Sequence, residues 1–224
     1  MAKKEISILT SHQREVLEAL SNERYFTQRF YLAGGTALSE FYLKHRLSED
    51  LDLFNENDEI VPFAIDRFFK KNFKTLGIKN IETKTVYGLY TLFLHFQDNS
   101  VLKVDFNYYP FPRIEKGKTF NNLAIESIYD IGVDKVHTIV TKPRARDFID
   151  IFFIVQEKGY NLEGLLMQAK AKFDWDITLV ELGARFVEGS KMTDFPRMIR
   201  PIDHKEWQNF FINEAKKLKK DIFN

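Results

Sequence analysis

Residues 31–54 read YLAGGTALSEFYLKHRLSEDLDLF, and strand-like and helix-like patterns alternate within them. Residues 30–33 predict a short strand, residues 36–43 a helix, and residues 51–54 a second strand. The glycine pair at positions 34 and 35 separates the first strand from the helix. This order of strand, tight turn, helix and strand predicts a fold in which a sheet and helices pack together.

The pattern changes twice along the rest of the chain. Residues 81–87, 90–97 and 101–108 alternate with a period of two and are rich in β-branched and aromatic residues, so we expect three more strands. After about residue 120 the spacing is helical to the end. The sequence therefore predicts an α+β fold. We assign residues 1–118 to an α/β domain and residues 119–224 to a helical domain that contributes to the active-site cleft.

Composition limits the classes of protein to consider. The 224 residues are 44% hydrophobic and include 22 phenylalanines, which allows a sizeable packed core. The net charge of +1 predicts no general attraction to nucleic acid, so any RNA contact must come from local basic patches. The absence of cysteine excludes disulfides and thiolate metal sites. We see no signal peptide or membrane-spanning run, so we expect a soluble, cytoplasmic protein with no membrane partner.

Two alternating aspartates, Asp50 and Asp52, are the first candidate site. Side chains at i and i+2 of a strand share a face, so both carboxylates point the same way. The two charges repel each other, and a bound Mg²⁺ ion, which prefers hard oxygen ligands, removes that cost. An equally good interpretation is an exposed acidic loop, because residues 49–59 contain six acids and no base.

A third aspartate, Asp105, favours the metal interpretation. It shares one face of its predicted strand with Lys103 and Asn107. If this strand lies beside residues 51–54, three carboxylates converge, and such a group can hold the two metal ions of a phosphoryl transfer. Taken alone, Asp105 is more often an ordinary exposed strand residue.

The glycine pair predicts a phosphate site. Gly34 and Gly35 let a ligand approach the backbone closely, and the free amides at a helix start favour an anion. Thr36 adds a hydroxyl group, and Arg46 and Ser48 can meet phosphate oxygens. The alternatives are a plain tight turn and a surface loop.

The helix at residues 146–157 is apolar almost all round, which predicts burial. Asp147 and Asp150 lie near its start, and buried carboxylates need partners. Lys135 and Arg144 are the available cations if these acids belong to a site. The structural alternative is an ion pair between Arg146 and Asp150 at i,i+4.

These blocks resemble the AbiEii/AbiGii toxin family. The resemblance covers roughly residues 25–155 and rests on Gly-Gly-Thr-Ala-Leu at 34–38, Arg-Leu-Ser-Glu-Asp-Leu-Asp at 46–52, Lys135, and Arg-Asp-Phe-Ile-Asp at 146–150. The family consists of nucleotidyltransferase-like proteins of the DNA polymerase beta superfamily. They are known from abortive-infection and type IV toxin–antitoxin systems, and the MenT toxins are related.

The resemblance implies a nucleotidyltransferase (DNA polymerase beta-like) mixed-sheet domain followed by an all-helical domain. It also implies that family members use an NTP, that some extend the tRNA 3′ end with pyrimidines, and that a separately encoded antitoxin is the partner. By this resemblance, Asp50 and Asp52 would bind the metal ion. Gly34, Gly35 and Ser48 would bind the triphosphate, and Lys135 and Asp147 would complete the active site.

Together, these observations predict a nucleotidyltransferase toxin that uses Mg²⁺ or Mn²⁺ and transfers a nucleotide from an NTP to RNA, with the tRNA 3′ end as acceptor. The predicted catalytic residues are Asp50, Asp52, Lys135 and Asp147; the nucleotide ligands are Gly34, Gly35, Thr36, Arg46 and Ser48; and the metal ligands are Asp50, Asp52 and Asp105. Alternatives are transfer to a protein hydroxyl, a non-catalytic nucleotide-binding module, and growth inhibition by sequestering a partner.

Overall fold

The structure is a computed structural model that describes residues 7–223, with the side chains of residues 7–218. The helices of this part of the chain are α1 Ser11–Ser21, α2 Arg24–Arg29, α3 Gly34–Leu38, α4 Pro62–Asn72, α5 Ile128–Thr141, α6 Ala145–Lys158, α7 Leu162–Phe173, α8 Leu179–Gly189 and α9 His204–Phe223. The strands are β1 Tyr31–Ala33, β2 Leu51–Asn55, β3 Ile78–Val86, β4 Leu89–Phe96, β5 Val101–Tyr108, β6 Thr119–Phe120 and β7 Leu123–Ile125.

The seven strands form one mixed sheet in the order β3-β4-β5-β2-β1-β7-β6. Strand β2 runs parallel to β5 and antiparallel to β1, and β1 runs parallel to β7. The hairpins β3–β4, β4–β5 and β6–β7 are antiparallel. The predicted α+β class is confirmed, and the strand of Asp105 lies directly beside the strand of Asp52, as the convergence of carboxylates requires.

The two faces of the central strands differ in chemistry. On one face, the Phe106 ring lies 6.4 Å from Phe69 of α4 and 5.7 Å from Phe26 of α2, so these helices cover an apolar layer. Asp105, the next residue along β5, points to the opposite face because side chains alternate along a strand. The apolar layer therefore packs the strands against the helices, while the opposite face presents polar side chains such as Asp105.

The contacts divide the chain into two compact units. Unit 1 contains the chain up to Tyr42 together with Ser48–Ser127, and unit 2 contains Leu43–Leu47 together with the chain from Ile128 onward. Unit 2 has its own core, in which the Phe148 ring packs edge-on against Phe211 at 4.8 Å. The assignment of residues 1–118 and 119–224 to functional domains stays a prediction.

Several elements differ from the sequence-based expectation. Strands β6 and β7 were not predicted, because an apolar run of two or three residues next to a helical pattern carries no strand signal of its own. The helical region expected after about residue 120 begins only at Ile128, after β7 has paired with β1. The short helix α2 was also missed, and only its burial of Phe26 shows why it forms.

The helix predicted over residues 36–43 begins two residues earlier, at Gly34. It continues beyond Leu38 as a π-helical segment, Ser39–Leu43. In the described part of the chain, we find no helix with the length and apolar character needed to cross a bilayer.

Candidate functional site

A row of polar side chains crosses the polar face of unit 1. Asp52 on β2 is in register with Asp105 on β5, and Asp105 is in register with Thr91 on β4. On the other side, Asp52 is in register with Ala33, the last residue of β1 before the glycine pair. Because residues paired across strands share a face, the sheet itself brings Asp52 and Asp105 together beside the turn at Gly34.

Asp105 is held in place by two side chains. Its Oδ1 accepts a hydrogen bond from Thr91 Oγ1 at 2.6 Å, and its Oδ2 pairs with Lys103 Nζ. The same ammonium group lies 3.7 Å from Asp50 Oδ2. Burial by itself lowers the pKa of Lys103, but the bond to Asp105 and the charges of Asp105, Asp50 and Asp52 prevail and raise it. Lys103 is therefore a cation among three carboxylates.

The donor set of this cluster fits a divalent metal ion, although its present arrangement does not form a metal site. Three carboxylates provide the hard oxygens that Mg²⁺ and Mn²⁺ prefer, and their attraction for the Lys103 ammonium shows that a cation is favoured there. Across residues 7–223, however, no group of three or more His, Asp or Glu side chains is arranged to hold a metal ion. The assignment of Asp50, Asp52 and Asp105 as metal ligands stays a prediction.

Gly34 is fitted closely to Asp52. Its φ of +69° is in the left-handed region that glycine tolerates, and a Cβ at this position would lie 2.8 Å from Asp52 Oδ2. The Gly34 amide donates to Glu126 Oε2 at 3.4 Å. The glycine is therefore required both for the turn and for the close approach of the backbone to the carboxylate.

Two other predicted nucleotide ligands also lie near this turn in unit 1. Thr36 is fully buried on the first turns of α3, and its hydroxyl donates to the backbone carbonyl of Asp50 at 2.5 Å. Ser48 is half-buried and lies two residues before Asp50, in the segment that leads into β2. Gly35 follows Gly34 in α3. Their roles as nucleotide ligands stay predictions.

Unit 2 contains a separate buried ionic cluster around Asp150 of α6. Arg46 binds this carboxylate with two donors, Nε to Oδ1 at 2.6 Å and Nη2 to Oδ2 at 2.7 Å. His45 Nε2 donates to Oδ1 at 2.8 Å, and Lys135 Nζ lies 2.9 Å from Oδ2. Burial alone raises the pKa of Asp150, but Arg46, Lys135 and His45 overcome it and hold that pKa well below its ordinary value.

Asp147, one turn earlier on α6, is also fully buried. Its Oδ1 pairs with Lys135 Nζ at 2.5 Å, and its Oδ2 accepts a hydrogen bond from Arg144 Nε at 2.9 Å. Lys135 thus bridges Asp147 and Asp150, which satisfies both buried acids with one cation. The structure brings the predicted pair Lys135 and Asp147 into direct contact, and their catalytic role stays a prediction.

The arginine that binds Asp150 is Arg46. The partners of Asp150 are Arg46, His45 and Lys135, so the alternative that paired Asp150 with Arg146 within the helix was wrong. Arg46 itself is only 2% exposed, and it donates to Asp150 and to the Leu47 carbonyl. This geometry supports a structural role for Arg46, although its assignment as a phosphate ligand is not otherwise tested.

Comparison with known proteins identifies the family. The family model described as "Nucleotidyl transferase AbiEii toxin, Type IV TA system" matches residues 15–220. The chain belongs to this AbiEii family. A protein from Aquifex aeolicus (strain VF5), "Uncharacterized protein aq_aa25", is 29% identical over 168 residues, which cover 74% of this chain and 76% of that protein.

Two solved structures share the fold of this AbiEii protein. The putative nucleotidyltransferase from H. pylori has a TM-score of 0.58 and 18% identity, with 95% of this chain and 97% of that chain covered. JHP933 from Helicobacter pylori has a TM-score of 0.56 and 18% identity, with 94% and 90% covered. The family and this fold make the AbiEii protein a nucleotidyltransferase enzyme.

Sequence reasoning missed several side chains that this AbiEii fold places around the predicted ones. Thr91 reaches Asp105 only through the β4–β5 register, which no local pattern in the sequence reveals. Lys103 was placed on the face of Asp105 by the strand period, and the structure adds that the two side chains form an ion pair. His45 contacts Asp150, a partner 105 residues away that no local pattern indicates.

Proposed function

We propose that this protein transfers a nucleotide from an NTP to RNA and that the acceptor is the tRNA 3′ end. The observation that carries the proposal is the register of Asp52 with Asp105 beside the Gly34 turn. Membership of the AbiEii family supports a toxin role with an antitoxin as partner. We further propose that the antitoxin comes from the same operon and that the protein acts in the cytoplasm.

In this reaction the acceptor hydroxyl oxygen forms a bond to the α-phosphorus of the NTP. The bond from that phosphorus to the oxygen bridging to the β-phosphate breaks, pyrophosphate leaves toward the Gly34–Gly35 turn, and the hydroxyl proton passes to water. A divalent ion held by Asp50, Asp52 and Asp105 would neutralise charge on the phosphate oxygens. Ser48 would donate a hydrogen bond to the triphosphate.

Lys135 and Asp147 are the two remaining predicted catalytic residues. Lys135 is 8% exposed, and its ammonium group lies between the carboxylates of Asp147 and Asp150. Asp147 binds Lys135 Nζ and so fixes the position of that charge. We propose that Lys135 neutralises the phosphates and that Asp147 positions it.

The substitution Asp52→Asn tests the proposal. It keeps the shape of the side chain and removes its charge, so we expect nucleotidyl transfer to fall about 1,000-fold or more, since loss of metal-assisted charge stabilisation costs several kcal/mol. The measurement is incorporation of each of the four α-labelled NTPs into total tRNA or into cell protein. Asp58→Asn is the matched control, because Asp58 is exposed in the same acidic stretch.

The outcomes of this screen separate the alternatives. Label in tRNA that depends on Asp52 supports the proposal, whereas label in protein would show that a protein hydroxyl is the acceptor. NTP binding without pyrophosphate release in any mixture would favour a nucleotide-binding module. Toxicity that persists in the Asp50→Ala, Asp52→Ala double variant would favour sequestration of a partner. Full activity of Asp52→Asn would exclude the assignment of this site.

A further inference from the structure

The segment that carries Ser48 and Asp50 into β2 is held by side chains rather than by a neighbouring strand. Residues 48–50 lie outside the sheet, and Leu47 before them donates its amide to the Arg197 carbonyl at 2.8 Å. The Ser48 carbonyl accepts a hydrogen bond from Gln13 Nε2 at 2.8 Å, and the Asp50 carbonyl accepts one from Thr36 Oγ1 at 2.5 Å. The two donors come from different helices, α1 and α3, and they bind the carbonyls on either side of Glu49.

Gln13 is placed for this contact by the start of α1. It is 1% exposed and completes a capping box with Thr10: its Oε1 accepts from the Thr10 amide at 3.0 Å, and its amide donates to Thr10 Oγ1 at 3.1 Å. The remaining donor of its side chain, Nε2, then points at Ser48. One amide group therefore caps a helix and fixes a segment 35 residues away along the chain.

Thr36 makes the second contact from α3. Its side chain is fully buried, and its hydroxyl proton goes to Asp50. The same short helix begins at Gly34, where the absence of a Cβ leaves room for the Asp52 carboxylate. Helix α3 therefore contacts both the Asp50 backbone and the Asp52 side chain.

We infer that Gln13 and Thr36 are positioning residues for nucleotidyl transfer. By fixing the carbonyls of Ser48 and Asp50, they fix the orientation of the intervening peptides, and hence the direction in which Asp50 and Asp52 point from one face. The inference rests on the proposed function, in which these carboxylates carry the reaction. Catalytic groups must be held within about 0.5 Å of their productive positions, which explains why two side-chain hydrogen bonds hold the segment from Ser48 to Asp50.

Substitutions that remove one hydrogen bond each test the inference. Thr36→Val keeps the shape and removes the hydroxyl, whereas Thr36→Ser keeps the donor. Gln13→Glu keeps an acceptor for the Thr10 amide but places a second oxygen against the Ser48 carbonyl. We expect kcat to fall about 10- to 100-fold in Thr36→Val and Gln13→Glu, because misplacement by about 1 Å can cost that much. Thr36→Ser should recover most of that loss.

Two further readouts separate positioning from other roles. If Thr36 bound the nucleotide directly, Thr36→Val would raise KM for the NTP; positioning instead lowers kcat with KM changed by less than about threefold. Binding of Mn²⁺ alone, measured by electron paramagnetic resonance, reports on the carboxylates without turnover and should weaken in both variants. Glu15→Gln, on the exposed side of α1, is the control.

The inference is overturned if kcat or Mn²⁺ binding stays at the wild-type level in both variants, or if only KM changes. It is also overturned if the loss of activity follows the unfolded fraction measured by thermal denaturation, because that would show a general loss of structure. Gln13→Glu and Thr36→Val act from separate helices, so one result stands if the other variant does not fold. An active Asp52→Asn enzyme would instead contradict the proposed function itself.

Discussion

At the scale of single residues, the carboxylates depend on a position that has no side chain. Gly34 turns the chain with a φ of +69° and leaves Asp52 Oδ2 at 2.8 Å from the point where a Cβ would be. An oxygen atom this close leaves no room for a methyl group. The glycine therefore determines where Asp52 lies as well as how the chain turns.

We predict that Gly34→Ala lowers kcat about 100-fold, because the methyl group must displace the Asp52 carboxylate. Gly77→Ala is a matched control: Gly77 has a similar φ of +65° and lies in the same unit, but a Cβ there meets nothing within 4 Å. Both variants bear the conformational cost of about 1–2 kcal/mol for a left-handed residue. Equal activity of the two variants in the labelled-NTP assay would contradict the role of Gly34.

At the scale of elements, α6 combines an apolar surface with two fully buried acids. Asp150 binds Arg46 through two parallel hydrogen bonds and has His45 and Lys135 as further partners. Burial lowers the pKa of His45, so its imidazole is neutral and donates to the ionised Asp150. Removing one member of such a group leaves buried charges without compensation.

We predict that Asp150→Asn lowers the free energy of unfolding by about 3–5 kcal/mol at neutral pH, as measured by urea denaturation. The folded-state pKa of Asp150 lies below its unfolded value. Its contribution is therefore complete above about pH 4 and is lost as the pH falls through the folded pKa. The difference between variant and wild type should shrink in acid. Asp176→Asn is the control, because the side chain of Asp176 is 99% exposed. If both substitutions changed the free energy of unfolding by the same small amount, this account would be contradicted.

At the scale of the whole molecule, unit 2 is not continuous in sequence. It takes Leu43–Leu47 from the N-terminal half and combines them with the helices from α5 onward. His45 and Arg46 come from this insert and supply two of the three partners of Asp150. The helical unit thus depends on a pentapeptide that lies more than 80 residues before its first helix.

We predict that a fragment of residues 119–224 loses cooperative unfolding, because Asp150 keeps only Lys135 as a partner. Circular dichroism during heating measures the transition of this fragment and of the whole chain. In the fragment, Asp150→Asn should leave the heating curve nearly unchanged, since its coupling to Arg46 is already absent. A sharp thermal transition of the fragment, together with the same loss of stability on Asp150→Asn as in the whole chain, would show that residues 43–47 do not stabilise unit 2.

The sequence by itself determined the periodic elements and the α+β class. Strands β2, β3, β4 and β5 and helices α4, α6, α8 and α9 follow from their apolar spacing and their Gly, Pro and polar boundaries, because those signals are local. The common face of Asp50 and Asp52 stays a prediction, because β2 begins at Leu51 and Asp50 lies just outside it. The resemblance to the AbiEii family, which includes motifs within residues 31–54, indicated that the protein is a nucleotidyltransferase.

Only the tertiary structure decided which distant groups meet. The β2–β5 register places Asp105 beside Asp52, and the β4–β5 register brings Thr91 to Asp105. Gln13 and Thr36 reach the carbonyls of Ser48 and Asp50 from two other helices. Arg46 pairs with Asp150 across 104 residues, although a closer arginine was available in the same helix. Such pairings depend on how buried charges and backbone carbonyls find partners in three dimensions, and a one-dimensional pattern does not contain that information.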